Sequence, residues 1–292
     1  IRLATPYLYA TIGETFGQRS GLLNLGVDGI MLMGAYAAFF TTFNTGSLAL
    51  GLLAAIVVGG IMGLIMAFFS VTLKAEQGIS GIGIYLFGLG MSNLLFRKTL
   101  GTVETVSGFP PIHFPILSDI PVIGSLFFSH NLLVYGAFVL VPISWFVLNK
   151  TTLGLKIRAV GENPEAADSL GVSVERIRYF SETLCGVLAG IAGASLSIAL
   201  LNVFQQNLTN GMGFIAVALV YFGGWRAAGA LAGSLLFSTV NALQLWMQVL
   251  GIPVPPDFAL MMPYVLTIVV LAFAAGRMRA PAALSKPFER GE

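Results

Sequence analysis

The chain has 292 residues, of which 56% are hydrophobic and only 10% charged, with a mean hydropathy of +0.87. Soluble domains carry roughly half apolar and a quarter charged residues, so this composition excludes an ordinary water-soluble globule and places the chain in lipid. The net charge of +2, from 15 basic and 13 acidic residues, supplies no basic field for nucleic acid. The single cysteine, Cys185, lies in an apolar run and excludes a disulfide framework or a cysteine-based metal site.

Five stretches, 29–73, 120–149, 183–225, 227–256 and 258–276, carry no Asp, Glu, Lys or Arg. A spanning helix needs about 20 apolar residues, so the longer gaps each hold more than one helix. Apolar runs between polar punctuation predict helices at 3–17, 25–43, 48–73, 79–96, 132–148, 179–201, 213–224, 229–250 and 258–275. The run 213–224 is too short to span and is expected to be a half-helix, a re-entrant piece or a helix whose end enters the preceding loop. The chain opens at Ile1 rather than Met, with no cleavable leader visible, and one more helix ahead of it is expected. The fold class is therefore all-α: one polytopic membrane domain, 1–292, of about nine or ten helices, some broken.

Orientation follows from basic residues near helix ends. Lys74, Lys150, Lys156, Arg158, Arg176, Arg178, Arg226, Arg277, Arg279, Lys286 and Arg290 fall on one side when the helices alternate, and that side is assigned to the cytoplasm. The other side receives 41–47, 97–131, 202–212 and 251–257, with Arg97 and Lys98 as its basic exceptions. The outer loop 97–131 contains Pro110, Pro111, Pro115 and Pro121 between apolar residues, the composition of a short lid at the membrane surface. Its histidines, His113 and His130, lack a second ligand type at metal spacing, so no metal site is expected. Glycine pairs four apart, Gly13 with Gly17, Gly59 with Gly63, Gly186 with Gly190 and Gly229 with Gly233, mark close helix packing.

Polar residues at membrane depth are costly, and each marks a candidate site. The densest group runs from Gly13 to Gly29 and includes Glu14, Gln18, Arg19, Asn24 and Asp28. A helix ending near Gly17 and restarting near 24–28 leaves free backbone groups, which survive only facing protein or a water-filled cavity. Two arrangements fit: a break lining a translocation path, or a cytoplasmic turn in which Arg19 pairs with Glu14 or Asp28. Asn93 and Asn241 are further polar candidates for the path, as Gln205, Gln206 and Asn207 are for the outer entrance.

The cytoplasmic segment 149–178 carries a second group. Asn163 before Pro164 is a cap with a first-turn proline, Glu165 adds a favourable charge, and Gly171 stops a helix of under two turns. A short capped helix between two spans suits insertion into a groove on a soluble partner. Small side chains at Ala166 and Ala167 suit close approach. No phosphate loop is present, since the only Lys-Thr pairs follow Arg97 and Asn149. No constellation of nucleophile, base and orienting group appears, so no catalytic residue is assigned.

The residues 13-Gly-Glu, 19-Arg-Ser-Gly, 24-Asn-Leu-Gly, Gly29 and 34-Gly-Ala, the run from Gly154 to Pro164, and Gly223-Gly224-Trp225 resemble the permease subunits of ABC importers for nucleosides and simple sugars. The resemblance covers nearly the whole chain and is nearest to the shorter of two homologous permeases in the nucleoside systems. It implies a multi-pass protein of the bacterial cell membrane with no cofactor of its own, whose ATP is bound by a separate ATPase chain. It also implies a second homologous permease and a lipid-anchored substrate-binding protein. Under it, Glu14, Arg19, Asn24, Asp28, Asn93 and Asn241 belong to the path; Arg158, Gly161, Glu162, Asn163, Pro164 and Ala167 couple to the ATPase; Gln205, Gln206 and Asn207 meet the binding protein. Gln18 and Asp28 stand where relatives often have Glu. An ion-coupled transporter or channel is the competing class, and Glu14, Asp28 and Glu182 are the carboxylates it would use.

Overall fold

The computed structural model describes residues 1–113, 127–250, 279–289 and scattered helical positions between 258 and 272. Its helices are α1 (Thr5–Arg19), α2 (Val27–Thr45), α3 (Leu48–Ala67), α4 (Gln77–Thr99), α5 (Leu132–Lys150), α6 (Thr152–Glu162), α7 (Pro164–Ser169), α8 (Val174–Ser195), α9 (Met212–Phe222) and α10 (Ala227–Val249). Both α3 and α8 end in a wider π turn, Phe68–Thr72 and Leu196–Leu200. Among the described residues five helices are long and apolar enough to cross a membrane: Leu48–Thr72, α4, α5, Val174–Leu200 and α10. The expected helix at 258–275 is described only at scattered positions, which are helical, and the middle of the outer loop, including Pro115 and Pro121, lies outside the described residues.

The bundle is built around α8, which packs against α1, α2 and α3. The glycine pairs explain why. A Cβ on Gly59 would stand 2.4 Å from the carbonyl oxygen of Gly186, and one on Gly190 would stand 2.3 Å from that of Ala55. Backbone therefore lies on backbone, the packing that small residues allow where lipid gives helices no hydrophobic drive. Gly34 of α2 meets Gly190 in the same way, and Gly88 of α4 meets Gly29. The outer faces of α3, α4 and α5 expose Leu53, Ile61, Ile79, Leu86, Val139 and Phe146, the apolar surface a lipid-facing helix presents.

The described part of the outer loop is tied down rather than free. Ile112–His113 (β1) pairs antiparallel with Ser129–His130 (β2), and the Val106 and Phe109 N–H groups donate to Asn202 and Ile198 carbonyls. At the opposite end the basic residues gather: Arg19 donates to the Trp225 carbonyl, Arg178 to Ser20 and Lys286 carbonyls, and Lys74 pairs with Glu289 at 2.8 Å. This gathering agrees with the one-sided charge pattern of the sequence.

The segment 202–212 corrects a sequence expectation. It is not simply an outer connection. Phe204, fully buried, packs against Tyr36, Phe39 and Phe96, and Thr209 reaches Asp28 in the first turn of α2. Tyr36 and Phe39 stand about two to three turns beyond Asp28 along α2. The irregular chain thus descends beside α2 before α9 begins, and together they form one broken span. Asn202, Asn207 and Asn210 adopt positive φ, which explains the asparagine-rich composition through left-handed turns.

Candidate functional site

α1 ends at Arg19, and the chain then turns back on itself. The Leu22 N–H donates to the Gly17 carbonyl and the Asn24 N–H to Glu14 Oε1 at 3.1 Å, so 20–26 climbs back along the end of α1. α2 therefore starts inside the bundle. Gly26 is required there, since a Cβ would lie 2.7 Å from Ile84.

Three linked nodes follow. In the first, Glu14 Oε1 also accepts from Gln18 Nε2 at 2.9 Å, and Cys185 Sγ donates to Glu14 Oε2 at 3.2 Å. Asn24 Nδ2 donates to Glu182 Oε1 at 2.6 Å, joining α8 to the loop, while Asn24 Oδ1 accepts from the Gly26 N–H at 2.7 Å. Glu14, Asn24 and Glu182 are fully buried. In the second, Asp28 accepts from the Gly213 N–H at 2.8 Å and from Thr209 Oγ1 at 3.0 Å. The approach is closed to any side chain, because a Cβ on Gly213 would stand 2.3 Å from the Asp28 nitrogen. Asp28 lies in the first turn of α2 and against the first turn of α9, so one carboxylate meets the positive ends of two helix dipoles. In the third, Trp225 Nε1 donates to Gln18 Oε1 at 2.7 Å and Arg19 Nε to the Trp225 carbonyl at 2.9 Å.

Among the described residues no cation pairs with Glu14, Asp28 or Glu182. Neutral donors meet them instead. Arg19 also departs from the cytoplasmic-turn arrangement, since its partner is Trp225 rather than Glu14 or Asp28. Asn93 and Asn241 lie apart from this network, partly buried on α4 and α10. Gln205, Gln206 and Asn207 are exposed, but the loop that carries them has a core to fill in Phe204 and Leu208. Glu182 and Thr209 join the site through tertiary contacts that no spacing in the sequence reveals, whereas Gln18 stands one turn after Glu14 on the same face of α1.

The segment 149–178 has the caps expected of it. Asn163 Oδ1 accepts from the Ala166 N–H at 3.0 Å, Pro164 opens α7, and Gly171 takes φ +82°. It also holds a helix that the sequence left unassigned, α6, capped by Thr151. Ala167 corrects the expectation for insertion: it is 3% exposed and packs with Val160, Val174 and Phe288 of its own chain. The outward surface is instead Glu162, Asn163, Glu165, Ala166 and Leu170, the last 84% exposed; Arg158 is partly buried. Gly161 lies on the end of α1, where a Cβ would stand 2.1 Å from the Arg19 carbonyl oxygen.

Helices interrupted at membrane depth, with their freed ends satisfied by buried polar side chains, are the construction of polytopic transporters. The fold and this junction define a membrane transport protein. The family model for the permease component of branched-chain amino acid transport systems matches residues 1–271, and the chain belongs to that family of ABC transporter permeases, which are transport components rather than enzymes. It is 36% identical to a guanosine ABC transporter permease of Bacillus subtilis, over 99% of this chain and 94% of the relative. It is also 36% identical to a nucleoside ABC transporter permease of Lactococcus lactis, over 96% and 92%. A Haloferax volcanii protein named as a glucose ABC transporter permease is 38% identical over 99% and 96%. No solved structure matches the chain.

Proposed function

We propose that the chain is the permease subunit of an ATP-driven importer that moves nucleosides or related sugar-bearing solutes inward by alternating access. The observation that carries this is the direct seat of the capped cytoplasmic segment on the end of α1: Gly161 of α6 rests on the carbonyl of Arg19, which follows Gln18 directly and leads into the Asn24 loop. Movement imposed on α6 and α7 from below is thereby transmitted to the junction where α2 and α9 begin. The two nucleoside-named relatives support the substrate class.

In this account ATP is hydrolysed by a separate ATPase chain that grips 149–178, with Glu162, Asn163 and Pro164 at the contact and Arg158, Gly161 and Ala167 behind it. Glu14, Arg19, Asn24 and Asp28 form the hinge of the path, with Asn93 and Asn241 on helices beside it. Gln205, Gln206 and Asn207 receive a substrate-binding lipoprotein outside. A second homologous permease completes the path, a role suggested by a further Bacillus subtilis guanosine permease 28% identical to this chain over 96% of its length. The full subunit has about nine or ten transmembrane helices in a type II-like importer arrangement. The test is guanosine uptake into proteoliposomes containing the assembled complex. Uptake that needs ATP inside the compartment holding the ATPase is expected. Uptake driven by a proton or sodium gradient without ATP would instead give the carboxylate pair Glu14 and Glu182 to an ion-coupled transporter.

A further inference from the structure

The chain segment 281–289 lies across the cytoplasmic end of the bundle as a strap. The Ala283 N–H donates to the Gly161 carbonyl at 2.9 Å and the Ser285 N–H to the Gly21 carbonyl at 3.1 Å. Arg178 Nη1, on a side chain only 1% exposed, donates to the Lys286 carbonyl at 3.1 Å, and Arg178 Nε donates to the Ser20 carbonyl at 3.3 Å. Phe288 packs on Val160 and Val174, and Glu289 closes the ion pair with Lys74 beyond α3. Four separate parts of the protein are therefore tied by one short strand of chain: α6, the loop after α1, the base of α8 and the connection after α3.

Between this strap and the coupling segment lies a cleft of about 430 Å³, walled by Glu162, Asn163 and Glu165 on one side and Lys286, Pro287 and Glu289 on the other. Glu289 is held by Lys74, so Glu162 and Glu165 of the coupling segment are the carboxylates that face Lys286 across it. A cleft with two carboxylates on one wall suits a cationic side chain from a protein partner, because a carboxylate pair can hold a guanidinium with charge-assisted hydrogen bonds. Leu170, almost wholly exposed at the far end of α7, adds an apolar projection to the coupling segment.

We propose that the strap is the second half of the ATPase docking surface: the ATPase inserts a basic side chain between the coupling segment and 286–289. This rests on the assignment of 149–178 as the ATPase contact. The strap also gives the partner's motion a second route to the junction, through Ser285 to Gly21 and through Arg178 to Ser20, in parallel with the Gly161 seat.

The native cysteine, Cys185, is fully buried, so introduced cysteines report alone. Pro287→Cys on the strap and Glu165→Cys on α7 are placed separately in the assembled complex, with Asn44→Cys at the far end of α2 as control, and treated with a short lysine-to-cysteine crosslinker. Crosslinks to the ATPase from positions 287 and 165, and none from 44, are expected. A crosslink from 165 alone would overturn the strap's role while leaving the coupling segment in place. Crosslinks from neither would overturn both assignments. Glu289→Lys, which repels Lys74 and lifts the end of the strap, should lower uptake per ATP hydrolysed severalfold with the complex still assembled. An unchanged ratio would show that the strap transmits nothing.

Discussion

Removing the Asp28 carboxylate tests the junction at its centre. In Asp28→Ala the Gly213 N–H and the Thr209 hydroxyl both lose their acceptor inside the bundle. A buried donor left unsatisfied costs about 1–3 kcal/mol, so two cost roughly 2–6 kcal/mol. Loss of the charge between two helix N-termini adds on the order of 0.3–1 kcal/mol for each. Asp28→Asn keeps the shape and both contacts: its carbonyl accepts from Gly213 and its amide donates to Thr209. Charge-assisted bonds exceed neutral ones by roughly 1 kcal/mol each, so this variant should lose about 2 kcal/mol from the bonds beside the same dipole contribution, without stranding either donor. Thermal unfolding of the purified chain in detergent, read beside uptake, should rank wild type above Asn and Asn well above Ala. A wild-type melting temperature for Asp28→Ala would refute the structural role, and normal uptake by that variant would refute the hinge.

The remaining predictions concern the neighbouring nodes. Glu182→Gln, which still accepts from Asn24 Nδ2, should retain most uptake, whereas Glu182→Leu strands the Asn24 amide and should lower stability by about 1–3 kcal/mol; equal behaviour of the two would remove Glu182 from the network. Gly161→Ala places a Cβ 2.1 Å from the Arg19 carbonyl and should separate α6 from α1, cutting ATP-coupled uptake while the transmembrane bundle still forms; coupled uptake at the wild-type rate would dismiss the Gly161 seat. Outside the membrane, the N–H groups of Ile79 and Gly78 hold the Glu76 carboxyl below its usual value. Because the folded value is the lower one, the cap's contribution is present above the unfolded carboxylate pKa and is lost as pH falls through the folded value. Hydrogen exchange at 77–80, corrected for its intrinsic rate, should therefore speed up on acidification in wild type and change less in Glu76→Gln.

Local chemistry made much of the architecture legible. The asparagine-proline start and glycine stop of α7 need only neighbours in sequence, and the glycine pairs of α3 and α8 announce close packing because nothing else in lipid brings backbones together. The break between α1 and α2 was visible from its polar density, although α1 runs two residues beyond Gly17; α2 restarts at Val27, within the expected 24–28. What was hidden depends on which distant chain lies opposite. Glu182 looked like one isolated carboxylate until Asn24 joined it to the loop. The segment 203–211 reads as polar turn residues, yet Phe204 and Thr209 draw it down beside α2. Ala167 is small enough to insert into a partner, but Val160, Val174 and Phe288 claim its face first. The strap has no signature, since backbone hydrogen bonds fix it to carbonyls elsewhere.

The central claim, that ATP hydrolysis by a partner chain drives solute through this permease, is tested most directly by tracer uptake into vesicles carrying the assembled complex and the binding protein, compared with a complex whose ATPase binds but cannot hydrolyse ATP. The account predicts inward guanosine accumulation above equilibrium with the active ATPase and none with the inactive one. Equal accumulation by both complexes would contradict it.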